Sequence, residues 1–140
     1  MRFMMLMIPL GYETAPPDVQ LDPERVRAMM KFNQDLKDAG VLLALDGLHP
    51  TSRGARVKYS GKTPGVSHGP FAVTNDLVSG FWLIQTKSLD EAIDWMKRAP
   101  FDGGAEIEIR QIFDAEDFGE ALTPELRENE QRLRAQAGKK

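Results

Sequence analysis

The chain of 140 residues predicts an α+β fold, in which one sheet carries two helices on one of its faces. Short apolar segments bounded by proline and glycine alternate with two segments of helical periodicity, which gives the order of strands and helices. Both helical segments begin with a residue type that caps helices. Residues 116–140 contain few large apolar side chains. We therefore expect one sheet domain at residues 1–115 and a C-terminal helical tail at residues 116–140.

The first strand and helix are defined by their ends. Phe3–Ile8 is apolar at every position and stops at Pro9, as in a strand that is covered on both faces. Asp22 can cap a helix that starts at Pro23, and Gly40 suits the residue after its last turn. The predicted buried stripe of this helix is Val26, Met29, Met30, Phe32 and Leu36.

The middle of the chain predicts three further strands. Val41–Leu48 is the second strand, and Ala55–Tyr59 is a short third strand followed by a glycine- and proline-rich loop through His68. Phe71–Val73 is predicted to pair as a further short strand. Alternation in the second strand places Val41, Leu43 and Leu45 on one face and Leu42, Ala44 and Asp46 on the other.

The second half of the chain again predicts a strand, a capped helix and a strand, followed by a helix in the tail. Gly80–Thr86 is the clearest strand, with Phe81 and Leu83 opposite Trp82 and Ile84. Ser88 and Glu91 form a capping-box pattern for a second helix that Pro100 stops. Its predicted stripe is Leu89, Ala92, Ile93 and Met96, the last predicted strand is Glu106–Ile112, and Thr123 with Pro124 starts a tail helix that runs to about Gln136.

Composition excludes several classes of function. The chain has no cysteine, which excludes disulfides and metal–thiolate sites. Its net charge of −3 argues against non-specific nucleic-acid binding, and no apolar run approaches the ~20 residues that span a bilayer. The apolar start, Met1–Leu10, lacks a small-residue cleavage site and is interpreted as a strand. We expect a cytoplasmic protein with no cofactor, no membrane and no nucleic-acid partner.

Several predicted strands are apolar on both faces, which predicts a partner subunit. With helices on one face only, Trp82, Ile84 and part of Phe3–Ile8 would lie in water. Burying such a side chain contributes roughly 1.5–3 kcal/mol. A second copy of the sheet is the simplest cover, so we expect a homodimer.

The segment His68-Gly69-Pro70-Phe71, followed by the strand from Gly80, resembles the Asp-Gly-Pro-Phe motif of the YCII-related (DGPF) proteins. Similar words occur at Gly47-Leu48-His49-Pro50 and after Ser88, so the resemblance covers about residues 1–115. It implies a ferredoxin-like fold, a dimeric α/β barrel, and a cavity between the sheets or beside them. The family largely lacks assigned reactions. This chain departs from the motif at His68, which replaces the acidic residue, and at Val73, Asn75 and Asp76.

The catalytic candidates are the two histidines and one carboxylate. His49 and His68 lie in turns beside strands, and an imidazole titrates near neutral pH, so either can serve as a general base. Asp46 precedes His49 by three positions and is the candidate partner. The alternative is that neither histidine has a catalytic task. No HxH or HExxH word is present, and we expect no metal site.

The ligand-binding candidates are Arg110, Trp82, Arg53 and Phe71. Arg110 can bind an anionic group, or it forms a salt bridge with Glu108 or Asp46. Trp82 is a pocket wall or a core residue. Arg53 begins a basic loop that is either a lid over an acidic ligand or a solvated hairpin tip.

Three functions remain open from the sequence. The first is a dimer that binds a small organic molecule, either neutral or anionic, in a cavity beside the sheet. The second is an isomerase- or lyase-like enzyme that transfers protons through His49 or His68. The third is an interaction module whose tail binds a partner, since the resemblance implies genes beside extracytoplasmic-function sigma factors.

Overall fold

The computed structural model describes residues 1–9, 16, 18, 20–72, 77–101 and 103–138. In chain order the strands and helices are β1 Arg2–Ile8, α1 Pro23–Asp38, β2 Leu42–Gly47, β3 Ala55–Lys58, β4 Gly65–His68, β5 Gly80–Gln85, α2 Leu89–Met96, β6 Glu106–Gln111 and α3 Pro124–Gln136. Short 3₁₀ segments occupy Thr51–Arg53 and Ala115–Ala121. No helix in these ranges is long and apolar enough to cross a membrane.

The main sheet has four strands in the order β2-β5-β1-β6, and every neighbouring pair is antiparallel. The first and last strands in the chain therefore lie side by side, and α1 and α2 are the crossover connections. This is the order of a ferredoxin-like α+β fold, which confirms the predicted fold class. A separate two-stranded sheet, β3 with β4, is inserted between β2 and β5.

The core lies on one face of the main sheet. Phe3, Met5, Trp82 and Ile84 pack there against the buried residues of both helices, and Ile84 is completely buried. The prediction that Trp82 and Ile84 need a second sheet as cover is therefore wrong, because both side chains point toward the helices. The residues that alternate with them point to the other face, where the apolar ones are Met4, Leu6, Ile8, Phe81 and Leu83.

The helix caps follow the predicted pattern. The Asp22 carboxylate accepts a hydrogen bond from the Glu24 amide at 3.0 Å, and Gly40 has a φ of +72°, which glycine adopts without strain. Ser88 Oγ accepts from the Glu91 amide at 3.1 Å, while the Glu91 carboxylate accepts from the amide of Lys87. Both helices thus begin where their capping residues predict.

The buried stripes are shifted from those predicted. In α1, Phe32 and Leu36 are buried, but Met30 is 66% exposed and Val26 also faces solvent. In α2, Trp95 joins Ala92 and Met96 in the core, and Leu89 is exposed. The reason is that only about one third of a helix surface can face the sheet, so a wide apolar stripe is only partly buried.

A β-bulge changes the faces of β2. The register with β5 shifts between Leu42 and Ala44, so that Leu42 lies opposite Ile84 and Leu45 lies opposite Trp82. Leu42 therefore packs against the core, and the strict alternation predicted from Val41 onward is wrong. The extra residue in a bulge reverses the side-chain direction of everything before it.

Two predictions about the inserted segment and the tail have different outcomes. The sequence predicted a loop at Gly65–His68, but this segment is strand β4. It pairs with β3, and Ala55 lies opposite His68. Phe71 is not in a strand, and Val73 lies outside the described residues. In the tail, Thr123 Oγ1 accepts from the Leu126 amide at 3.3 Å, which confirms the predicted helix start.

Candidate functional site

A cavity of about 230 Å³ lies between α1 and the end of the sheet at which β2 finishes and β5 starts. Its lining is mostly apolar, and Met7, Met29, Leu45, Trp82 and Phe101 form most of its walls. Asn33 and Ser79 add polar side chains. Two strand ends meet here at a glycine pair, Gly47 opposite Gly80, and both glycines border the cavity.

One hydrogen bond organises the cavity wall. Trp82 Nε1–H donates to Asn33 Oδ1 at 2.8 Å, which joins β5 to α1. The indole is held from two further sides by ring edges, with centroids 6.0 Å from Phe32 and 6.0 Å from Phe101. Asn33 Nδ2 has no hydrogen-bond partner among the described residues, so its two N–H groups are available to a ligand.

Asp46 borders the cavity mainly through its backbone. Its Cα lies opposite that of Phe81, so its side chain points away from the helices, to the face opposite Trp82. A Cβ built on Gly80 would lie 3.0 Å from the Asp46 carbonyl oxygen, which shows how closely the two backbones approach. Among the described residues, Asp46 has no hydrogen bond or ion pair with His49 or His68.

The histidines lie at the base of the β3–β4 hairpin, beside the cavity rather than in its wall. Arg53 Nη1 lies 3.3 Å from Nδ1 and 3.2 Å from Nε2 of His49, so the guanidinium covers the imidazole ring. His68 is the last residue of β4 and lies opposite Ala55. Both histidines are exposed.

The backbone of Thr51 lies so close to position 69 that only glycine fits there. A Cβ at this position would lie 1.7 Å from the carbonyl oxygen of Thr51, so any other residue would displace the backbone. The Gly69 amide donates to Gly54 O at 2.9 Å, and the Phe71 amide donates to Thr51 Oγ1 at 3.4 Å. The Gly-Pro-Phe turn is thus fixed on the turn that follows His49, although no direct hydrogen bond joins the two histidines in the described part of the chain.

The turn and the strand that follows it both lie within the range that a protein-family model matches. The model of the YCII-related domain matches residues 1–116. The chain belongs to the YCII-related family. An uncharacterised protein of Rhizobium meliloti (strain 1021) is 36% identical over 77 residues, which is 54% of this chain and 62% of that protein. The match therefore spans less than two thirds of that relative's length.

In this YCII-related domain the remaining ligand-binding candidates lie apart from the cavity. The Phe71 ring is covered by the Arg56 guanidinium, whose carbon lies 4.0 Å from the ring centroid. Arg110 is on the edge strand β6, where its Nη1 lies 3.6 Å from Glu108 Oε2. The salt bridge considered as the alternative for Arg110 is thus present. Of the seven candidates, the structure brings only Trp82 and the Asp46 backbone to the cavity wall.

Sequence reasoning missed Asn33, Ser79 and Met29 as cavity residues of this YCII-related domain. A signal for Asn33 exists, because it lies four positions after Met29 and three before Leu36, inside the buried side of α1. A polar residue at such a position needs a partner or a ligand. Ser79 gave no signal, and its hydroxyl donates to the Met7 carbonyl oxygen at 3.5 Å.

Proposed function

We propose that this YCII-related protein is a homodimer in which each subunit binds one small, mostly apolar organic molecule in the cavity between α1 and the sheet. The observation that carries the proposal is the space of about 230 Å³ beside the Asn33–Trp82 hydrogen bond. A dry apolar cavity of ~150 Å³ holds benzene, so this space fits a single aromatic ring with a short substituent.

The lining selects for a neutral ligand. None of the described lining residues carries a positive charge, and the one carboxylate, Asp46, points to the opposite face of the sheet. A carboxylate ligand would therefore lose its hydration without gaining a cationic partner, which is costly. A hydroxyl or carbonyl group can instead pair with Asn33 Nδ2–H, while the ring packs against Trp82 and Met29.

The homodimer is supported by the open face of the sheet. Both α1 and α2 pack on the face of Phe3 and Trp82, and the opposite face presents apolar side chains from the two central strands. Leu6, Phe81 and Leu83 are only partly covered there. Full burial of such a side chain stabilises by roughly 1.5–3 kcal/mol. Because these side chains are already partly buried, covering the rest of each one in a dimer adds part of that amount to the free energy of association. A second copy provides an identical, self-complementary apolar face.

The ligand is tested by titrating the protein with phenol, benzylamine and benzoate, which are neutral, cationic and anionic versions of one ring. We expect phenol to bind most tightly. Leu45→Trp fills the cavity and should abolish binding, and Leu43→Trp is the matched control, because Leu43 lies in the bulge and does not line the cavity. Equal loss of binding in both variants, or no binding of phenol at all, would contradict the cavity assignment.

The dimer is tested separately by sedimentation over a range of protein concentrations. Native mass spectrometry of gently purified protein then reports both subunit number and any retained small molecule. A monomer at all concentrations would exclude the homodimer and leave the cavity assignment to be decided by the titration.

A further inference from the structure

Charge is divided unevenly along this chain. Residues 47–72 contain four basic side chains and no acidic one, although the whole chain has a net charge of −3. Residues 114–130 contain seven acidic side chains and one basic one. We name residues 53–68, which lie within the first region, the basic hairpin, and we name residues 114–130 the acidic tail. The basic side chains of the hairpin are Arg53, Arg56, Lys58 and Lys62.

The basic hairpin has no cover within its own subunit. Every residue of β3 and β4 is exposed, including the cross-strand pair Val57 and Val66 and the neighbouring Tyr59, which is 84% exposed. In the described part of the chain, none of the four basic side chains forms an ion pair. A two-stranded hairpin alone is marginally stable in water, so this one needs a surface to pack on.

The acidic tail has the complementary chemistry. Phe118 and Leu126 are about half exposed, and Leu133 beyond them is more exposed still. Within the described ranges Glu120, Glu125 and Glu128 form no ion pair, whereas Asp114 and Glu116 pair with Arg2 and Arg127. The tail therefore presents carboxylates without an ion-pair partner among the described residues beside exposed apolar side chains, and the hairpin presents Lys58 and Lys62 in the same way.

The two regions leave the main sheet at opposite ends. The hairpin follows β2, whose end lies beside Gly80 and Met7, and its base is held by Thr51 and Gly54. The tail follows β6 and is held by Arg2, whose guanidinium bonds the Asp114 carboxylate at 2.8 Å. Five residue steps along β1 separate Arg2 from Met7, which is about 17 Å. The tail of the same subunit is therefore anchored at the end of the sheet that is remote from the hairpin.

We propose that the basic hairpin of one subunit docks on the acidic tail of a second copy of this chain. The docking rests on the proposed homodimer and adds a charged contact to it. Because a twofold axis repeats every contact, the pair of subunits would hold two such hairpin–tail contacts. The charges give this contact its register and the exposed Val57, Tyr59 and Leu126 give it an apolar centre.

The first test is carbodiimide cross-linking, which joins a lysine amine directly to a carboxylate. A mixture of unlabelled and fully ¹⁵N-labelled protein reports whether linked peptides come from different subunits. We expect mixed-isotope links from Lys58 or Lys62 to Glu120, Glu125 or Glu128. Links found only within one isotope form would overturn the docking.

The second test reverses charge on each side. Lys58→Glu/Lys62→Glu and Glu120→Lys/Glu128→Lys should each raise the dimer dissociation constant by about tenfold at low salt, and combining them should restore it. The control, Lys37→Glu/Lys87→Glu, makes the same charge change on exposed residues elsewhere. High salt should shrink the differences.

The outcomes separate the two proposals. A dimer whose dissociation constant is unchanged by both reversals, and which gives no hairpin–tail cross-link, overturns the docking and leaves the homodimer intact. A chain that stays monomeric removes both. An equal effect of the control reversal would show that net charge, rather than this contact, governs association, and would also overturn the docking.

Discussion

The two faces of the main sheet are built from alternate residues of the same strands, yet their surroundings differ completely. Ile84 is fully buried against α1 and α2, whereas its neighbour Leu83 points to the opposite face of the sheet and is not part of the core. Both residues are large and aliphatic. Strand composition therefore shows that both faces are apolar, but only the register and the packing of the helices show which face is covered.

The largest expected effect is on the helix side. Ile84→Ala should lower the free energy of unfolding by roughly 2–5 kcal/mol, because a fully buried side chain leaves a cavity in a closed core. The measurement is urea unfolding followed by circular dichroism at two protein concentrations. Leu83→Ala is the matched control and should cost less in the monomer. If the two variants lost equal stability at low concentration, the two faces would not differ as the burial indicates.

The hydrogen bond that joins the same face to α1 gives the next effect. Asn33→Leu leaves the Trp82 indole N–H without its partner, which should cost about 1–3 kcal/mol of stability. Trp82→Phe removes the donor, so the double variant should be less destabilised than the sum of the two single ones. Strict additivity in this cycle would show that the bond contributes nothing to folding.

The open face is tested by placing a charge on it. Leu83→Asp should raise the dissociation constant of the proposed dimer by about tenfold or more, because an unpaired carboxylate would be buried between two sheets. Leu89→Asp is the matched control on the outer side of α2, where Leu89 is 46% exposed and an acidic residue suits the first helical turn. Sedimentation of both variants decides the case. A dimer as tight as the unmodified one in Leu83→Asp would place the interface elsewhere.

Much of the fold was predictable because local signals agree with it. Asp22 and Ser88 mark the helix starts, and Gly40 marks the end of α1. The errors have physical causes of longer range. The β2 bulge reverses the direction of Leu42, and β4 is a strand only because Ala55–Lys58 lies beside it. Such pairings depend on which segments of the chain lie side by side, and the local pattern of a single sequence does not show this.

The candidate site was less predictable for a related reason. Histidine, arginine and aspartate were chosen as candidates because their side chains can be charged or transfer protons. The cavity is instead formed mainly by apolar residues, with the Asn33 amide and the Ser79 hydroxyl as polar groups. Trp82 was the exception, and its place in the wall follows from its position opposite Leu45 at the strand end. The useful signal was Asn33, a polar residue on the buried side of a helix.

The smallest effect is expected at the histidines, and it separates binding from catalysis. His49 and His68 are exposed at the hairpin base and do not line the cavity, so His49→Ala and His68→Ala should each change stability by less than about 0.5 kcal/mol and leave phenol affinity unchanged. If either residue is a general base, the same variant must lose turnover of the molecule found by mass spectrometry while it still binds that molecule. Loss of binding in His49→Ala would instead mean that the Arg53–His49 pair forms part of the site in solution, since no wall residue has changed. Unchanged binding and turnover in both variants would remove the proton-transfer hypothesis and leave the cavity as a binding site alone.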